Sequence, residues 1–314
     1  MFKQSSIFVA GHRGMVGSAI VRRLQAAGYT NLLLRARDQL DLRDASAVNR
    51  FFEAERPEYV FLAAAKVGGI LANSTFPVEF LRDNLLIELS VIEAAYRCGA
   101  KKLEFLGSSC IYPKMAPQPL RAEYLLTGPL EPTNEWYAIA KIAGIKLVQA
   151  YRQQYGFHAI SLMPTNLYGP EDNFDLKESH VLPALIRKFH EAKQSGSPEV
   201  VLWGTGSARR DFLHVDDLAS AAILLMREYD QPEIINIGSG EDLTIAELAE
   251  MVRQIVGFQG SIVYDSAKPD GTPRKVLEVS RLRAMGWAPE IGLGEGIAST
   301  YAWYCDHTSS PVGS

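Results

Sequence analysis

Cysteine is scarce in this chain: three residues in 314, Cys98, Cys110 and Cys305, with no Cys-x-x-Cys pair. So odd and scattered a set excludes a disulfide framework and a cysteine zinc site. It reads as free thiols of a reducing compartment, and no metal centre is expected. No apolar run approaches the roughly 18 residues of a membrane span. Lys and Arg total 32 against 36 Asp and Glu, a formal net charge of -4, so the basic excess of a dedicated nucleic-acid binder is missing. The first ten residues hold one Lys and one short apolar run, not the longer core and cleavage site of a secretory signal, and a cytoplasmic setting is expected. Repeats and low-complexity linkers are also absent. What is present is an ordinary globular balance, 47% hydrophobic and 22% charged, sufficient for a large core and about two domains.

Short apolar runs at 7–10, 32–34, 59–62, 103–107 and 159–163 alternate with amphipathic stretches at 15–27, 45–55, 77–98 and 136–155. That rhythm predicts a Rossmann-like, doubly wound parallel sheet with helices on both faces, plus a smaller mixed α/β substrate domain. Thr133 or Asn134 is placed to cap the helix beginning at 136. Beyond Pro164 the rhythm breaks, and 164–180 reads as a Pro-, Asn-, Asp- and Gly-rich loop. Helices are expected at 181–193, 215–228, 243–256 and 293–305, with strands at 200–203, 233–237 and 261–264. A cofactor domain is expected from 1–168 with about 212–237. A substrate domain is expected from about 169–211 with 238–306, and a disordered polar tail over 307–314.

Gly11-His12-Arg13-Gly14-Met15-Val16-Gly17 follows the first expected strand and opens the first expected helix. Glycines there let the backbone turn sharply and approach a pyrophosphate, which the open N–H groups of the helix then bind. Three glycines alone are weak evidence, and an empty tight turn is the plain alternative. The second strand ends near Leu34, where a dinucleotide's adenosine ribose would lie. Asp38 can bond a ribose 2′-hydroxyl and select NAD, whereas Arg35 and Arg37 can bind a 2′-phosphate and select NADP. Arg35 directly follows the strand, which favours NADP(H). Asp41 and Leu42 are placed to contact the adenine.

Tyr137 and Lys141 lie one helical turn apart on a common face. A phenol near pKa 10 is a poor acid at neutral pH, and a neighbouring cation favours its phenolate. Such a pair can protonate a carbonyl oxygen while hydride reaches its carbon. Ser108, just past the fourth strand, can hydrogen-bond the same oxygen. Taken singly, a Tyr-x-x-x-Lys spacing is usually structural; the glycine loop and the serine at a strand end make it a catalytic set.

Together these residues resemble the extended short-chain dehydrogenase/reductase family, as do Ala63-Ala64-Ala65 and the stretch from Arg210 to Asp217. The resemblance sharpens over 64–69, 106–113, 131–134, 164–170, 179–181 and 268–275, and runs from about Ile7 to Asp306. These segments are similar to the branch of epimerase-reductases acting on GDP-4-keto-6-deoxy-D-mannose. The implied chemistry is epimerisation at C3 and C5, then NADPH-dependent reduction at C4 to GDP-L-fucose. A related nucleotide-sugar 4-epimerase or 4-reductase is the alternative; a cofactor-binding protein without catalysis would be expected to have lost Tyr137 or Lys141.

The resemblance implies that Cys110 and His180 exchange protons at C3 and C5. Without it, a lone cysteine or histidine is usually an inert packing residue. It further implies cofactor contacts at Ala63–Ala65, Leu106, Gly107, Ser108, Ser109, Lys141, Pro164, Thr165, Asn166, Leu167 and His180. Nucleotide-sugar contacts are implied at Trp203, Arg210, Asp270 and a base on the helix after His180, either Arg187 or Lys188, with Lys188 favoured. Trp203 has a packed core aromatic as its plain alternative. Related enzymes pair the helices of 77–98 and 136–155 across a two-fold axis, implying a homodimer. Met163 stands where much of the broader family has Arg, and no acidic residue follows Ser109, which argues against dehydration.

Overall fold

The computed structural model describes residues 1–308 apart from Lys177 and Pro269. Ile7–Ala10 (β1) leads into Met15–Ala26 (α1), and Leu32–Leu33 (β2) into Ala45–Glu55 (α2). Tyr59–Leu62 (β3) precedes Ile70–Thr75 (α3) and Pro77–Arg97 (α4). Lys102–Leu106 (β4), Glu135–Tyr155 (α5) and Ala159–Pro164 (β5) follow. Every residue of β1, β4 and β5 is buried. Cover on both faces explains the continuous apolar runs of β1 and β5, whereas β4 also buries Lys102, which donates to the carbonyls of Leu225 and Met226, and Glu104.

The second half contributes Asn166–Tyr168 (β6), Val181–Ser195 (α6), Glu199–Trp203 (β7), Arg209–Arg210 (β8), Phe212–His214 (β9) and Val215–Glu228 (α7). Ile235–Ile237 (β10), Leu243–Thr244 (β11), Ile245–Val256 (α8), Ser261–Asp265 (β12), Arg274–Lys275 (β13), Ser280–Ala284 (α9) and Leu293–Thr308 (α10) complete it.

The main sheet has the order β10-β5-β4-β3-β1-β2 and is parallel throughout. Ala19, Ile20, Leu218 and Ala222 of α1 and α7 cover one face. Phe52, Val91, Ile92 and Ile145 of α2, α4 and α5 cover the other. A separate core of Leu185, Phe189, Leu248, Val252 and Ile297 joins α6, α8 and α10. The chain passes from β1 outward to β2 and returns to β3 on the opposite side. The strand order therefore reverses between β1 and β3, where a ligand crevice opens at the carboxyl edge.

Several local expectations are corrected. The expected loop 164–180 contains β6, which pairs with β9 in parallel. The helix expected from 243 starts at Ile245, because Leu243 and Thr244 pair with β8. Thr244 then forms a capping box with Glu247. Asn134 occupies the N-cap of α5, but neither it nor Thr133 supplies a side-chain cap. The α3 turn was not expected. Helix α10 runs to Thr308, two residues into the expected tail, and the remaining tail residues 309–314 lie outside the described residues.

Candidate active site

Gly11 follows β1 at φ +87, and a Cβ there would come 2.8 Å from the Ala64 backbone. At Gly17 a Cβ would lie 2.1 Å from the Gly11 carbonyl oxygen. Only glycine lets this loop close so tightly on the segment after β3. Gly14 caps α1 without any side chain, so the first N–H groups of the helix face outward unblocked. Gly11, His12, Arg13 and Gly14 line a cleft of about 610 Å³ together with Arg35, Ala36, Arg37, Asp38 and Asp41.

The arginines of this cleft differ in their commitments. Arg35 is ion-paired to Glu55 at 2.6 Å and lies over the Phe51 ring. Arg13 and Arg37 form no hydrogen bond or ion pair among the described residues, which leaves them free for a phosphate. The Asp41 carboxylate is held by Arg43 and pushed down to about 2. Leu42 packs against the core and offers its carbonyl to Ser90. The His12 Nδ1 is buried without a partner.

Past β4, a Cβ on Gly107 would strike the Met163 side chain at 2.3 Å. Met163 thus fills the space beneath the turn that presents Ser108. The Ser108 hydroxyl accepts from the Cys110 amide at 3.3 Å and also meets the Cys110 thiol and the Tyr137 phenol. Burial, with the nearby Cys110 and Glu88, pushes the Tyr137 hydroxyl well above its ordinary range. The expected depression by Lys141 is not found. Lys141 instead donates to the Leu106 carbonyl at 2.9 Å and pairs with Glu88. Burial also pushes the Cys110 thiol up, against Ser108, Lys275 and Lys141.

His180 stands at the start of α6, where its ring caps nothing. The residue is exposed at the cleft, and the protein beside its ring, with the Lys275 charge, lowers its pKa. Its loop is seated by Gly69, whose amide donates to the Glu178 carbonyl at 2.7 Å. A Cβ on Gly69 would meet the Ser179 carbonyl oxygen at 2.6 Å. Asn73 fixes this turn by donating to the carbonyls of Gly68 and Gly69. Thr165 and Asn166 donate their side chains to the Asp211 carbonyl, while Leu167 packs on the core behind Ala63.

Trp203 is 54% exposed, not a core aromatic, and Lys268 Nζ sits 5.5 Å over its ring. Asp270 accepts from the Thr205 amide and hydroxyl, so it is occupied in holding the turn after Trp203. Arg187 is engaged by Glu191 and the Phe174 carbonyl, and Lys188 by the Val201 carbonyl. Arg210 lies in β8 with no carboxylate in salt-bridge range among the described residues, facing the more distant charges of Glu131 and Asp270. Among the described residues no cluster of His, Cys, Asp or Glu could hold a metal, none of the three cysteines is in a disulfide, and no helix is long and apolar enough to cross a membrane.

The model of the NAD dependent epimerase/dehydratase family matches residues 7–238. The chain belongs to that family. It is 62% identical over 309 residues to the "Probable GDP-L-fucose synthase 1" of Oryza sativa subsp. japonica, covering 98% of this chain and 94% of the relative. It is 55% identical to the GDP-L-fucose synthase of Escherichia coli K12, covering 96% and 97%. A crystal structure of a GDP-L-fucose synthetase from Naegleria fowleri bound to NADP superposes with a TM-score of 0.92 at 28% identity, over 100% of this chain and 98% of that one.

In this family member three further residues converge on the site. Asn134 and Lys275 line one small cavity with Ser109 and Cys110, and the Asn134 Oδ1 there is buried without a partner. Glu88 lies behind Lys141. Sequence reading treated Asn134 as a helix cap and Lys275 as part of a motif, and passed over Glu88. No spacing in the chain signals any of these juxtapositions.

Proposed function

We propose that this chain converts GDP-4-keto-6-deoxy-D-mannose to GDP-L-fucose, epimerising C3 and C5 and then reducing C4 with NADPH. The observation that carries this reading is the meeting of a phenol and a thiol on one hydroxyl, Ser108, at the carboxyl edge of the sheet. The names of the rice and Escherichia coli relatives support it.

The cleft fits a phosphorylated dinucleotide. Its open helix N-terminus takes a pyrophosphate, and the unpaired Arg13 and Arg37 take a 2′-phosphate. NADPH bound there supplies hydride to C4. Residues 1–168 with about 212–237 form the cofactor domain of this reading, and about 169–211 with 238–306 the substrate domain. Trp203 gives the guanine a stacking face, and Arg210 a bidentate fork to the diphosphate.

The C4 ketone acidifies the hydrogens on C3 and C5, because each carbanion is an enolate. At each carbon in turn Cys110 removes the proton and His180 gives one to the opposite face, the two side chains exchanging their protons with solvent between the steps. Asn134 Oδ1 accepts from a sugar hydroxyl. In the reduction Tyr137, kept as a neutral phenol, gives its proton to the C4 oxygen, with Ser108 bonded to the same oxygen. Lys141, an ammonium throughout, keeps its positive charge close to the resulting phenolate. Three cysteines without a disulfide suit the cytoplasm, and the exposed apolar residues of α4 and α5 suit a homodimer.

The test is NADPH absorbance with and without GDP-4-keto-6-deoxy-D-mannose, with NMR of the product. Expected are substrate-dependent NADPH oxidation and an L-fuco sugar. Oxidation giving a 6-deoxy sugar of unchanged C3 and C5 configuration reduces the activity to a 4-reductase.

A further inference from the structure

The Cys110 thiol has a difficulty if it is a base. Burial opposes its ionisation, and the cations of the sequence motif are turned elsewhere. Lys141, the cation expected to help, donates to the Leu106 carbonyl and pairs with Glu88. A charge facing the thiol has to come from another element.

Strand β13 provides it. Lys275 pairs in register with Arg210 of β8, so two cations stand side by side at the edge of the substrate lobe. The Lys275 side chain lines the same small cavity as Ser109 and Cys110. It is half-buried and makes no hydrogen bond or ion pair among the described residues. A half-buried ammonium without a partner is costly and persists where its charge is used. Burial and Arg210 push it down to about 8, which leaves it protonated at neutral pH, and Cys110 and Asp211 oppose that fall.

We propose that Lys275 is the charge partner of Cys110, a positioning residue whose ammonium stabilises the thiolate across their shared cavity and so enables the epimerisation step. The groups around Cys110 are Ser108 on its own turn, Tyr137 and Lys141 from α5, Lys275 from β13 and, lining the same cavity, Tyr112 and the ion pair of Lys114 with Glu131. Only Lys275 combines a positive charge with the lack of any other partner. The same charge bears on His180, where it disfavours the imidazolium and makes a protonated ring a readier donor. One cation thereby biases both proton-exchanging groups in the directions a base and an acid require. The role assigned to the thiol rests on the function proposed above.

The experiment titrates the thiol directly, independently of turnover. In a Cys98→Ala, Cys305→Ala background Cys110 is the one remaining thiol, and its ionisation is followed by absorbance near 240 nm. Lys275→Met is expected to remove the part of the thiolate absorbance that develops while Lys275 is still protonated, below about pH 8, and so to move the midpoint to higher pH. Exchange of the C3 and C5 hydrogens in heavy water is expected to fall roughly tenfold at neutral pH, with its pH profile shifted alongside. Lys275→Arg is expected to restore both. Lys275→Gln serves the same comparison if the Met variant does not fold. An unchanged midpoint overturns the proposal, as does a variant that raises only the KM for the GDP-sugar, which makes Lys275 a diphosphate ligand. Cys110→Ser separates the two claims. If that variant exchanges at the wild-type rate the base is misassigned, while the thiol titration still decides whether Lys275 is its charge partner.

Discussion

Lys141 Nζ lies 3.2 Å from Glu88 Oε1, and both side chains are only 2% exposed. The pair crosses from α5 to α4 beneath the phenol of Tyr137, and Gly144 makes room for it. A Cβ on Gly144 would fall 2.7 Å from Glu88 Oε2 and 2.5 Å from the Phe105 ring. The approach is poorly aligned for a hydrogen bond, so Glu88 is not fully satisfied. Burial accordingly raises the Glu88 pKa to about 7, with Lys141 opposing the rise.

That shift has a definite sign in stability. A carboxyl that holds its proton more tightly when folded contributes most below its unfolded pKa of 4.5, and the contribution is lost as pH rises towards 7. Glu88→Gln removes this dependence. Urea unfolding of both proteins between pH 4.5 and 7 is expected to show the variant gaining on the wild type as pH rises. Parallel curves would place Glu88 outside this titration.

Cofactor choice rests on the guanidiniums that have no other partner. Arg37→Ala is expected to weaken NADPH binding by about 10- to 100-fold, the loss of one charge-assisted pair, and to leave NADH almost unchanged. Arg35→Ala, which also removes the Glu55 pair, is expected to affect the two cofactors more evenly. Fluorescence titration of each cofactor reads both results. Equal losses for NADPH and NADH in Arg37→Ala would deny that Arg37 reads the 2′-phosphate.

Reduction and epimerisation separate by substitution. Tyr137→Phe removes the proton donor to the C4 oxygen but keeps the thiol and imidazole. NADPH oxidation is expected to fall ~10²–10⁴-fold, while the C3 and C5 hydrogens still exchange in heavy water. Cys110→Ser is expected to lose exchange and to pass the unepimerised ketone directly to reduction, and His180→Gln to epimerise poorly. Loss of exchange in Tyr137→Phe would mean that the phenol also serves the proton transfers.

Assembly as a homodimer is expected to use the outer faces of α4 and α5. Leu86, Leu89, Trp136 and Ile139 are exposed on these two packed helices. Burying them against a second copy removes an apolar patch that water disfavours. Light scattering at micromolar concentration is expected to give a dimer mass for the wild type and a monomer mass for Leu89→Arg. A monomeric wild type contradicts the pairing.

The central sheet was legible because its signals are local. Ile7–Ala10, Tyr59–Leu62 and Val215–Glu228 have in the structure the limits their apolar patterns predict, since a doubly covered strand or amphipathic helix declares itself within a few residues. The glycine loop was legible for the same reason: Gly11 and Gly17 answer to a backbone approach within one turn. The short strands β6, β8, β11 and β13 were not, because two or three residues carry no period and are ordered by partners far along the chain. The site divides in the same way. The sequence pointed to Ser108, Tyr137 and Lys141 by type and spacing, and to Cys110 and His180 through the family resemblance. Only tertiary packing turned Lys141 towards Glu88, set Lys275 across a cavity from Cys110, tied Arg35 to Glu55 and left Arg13 and Arg37 free. Which charge meets which partner depends on distances between separate elements, and those distances exist only once the chain is folded.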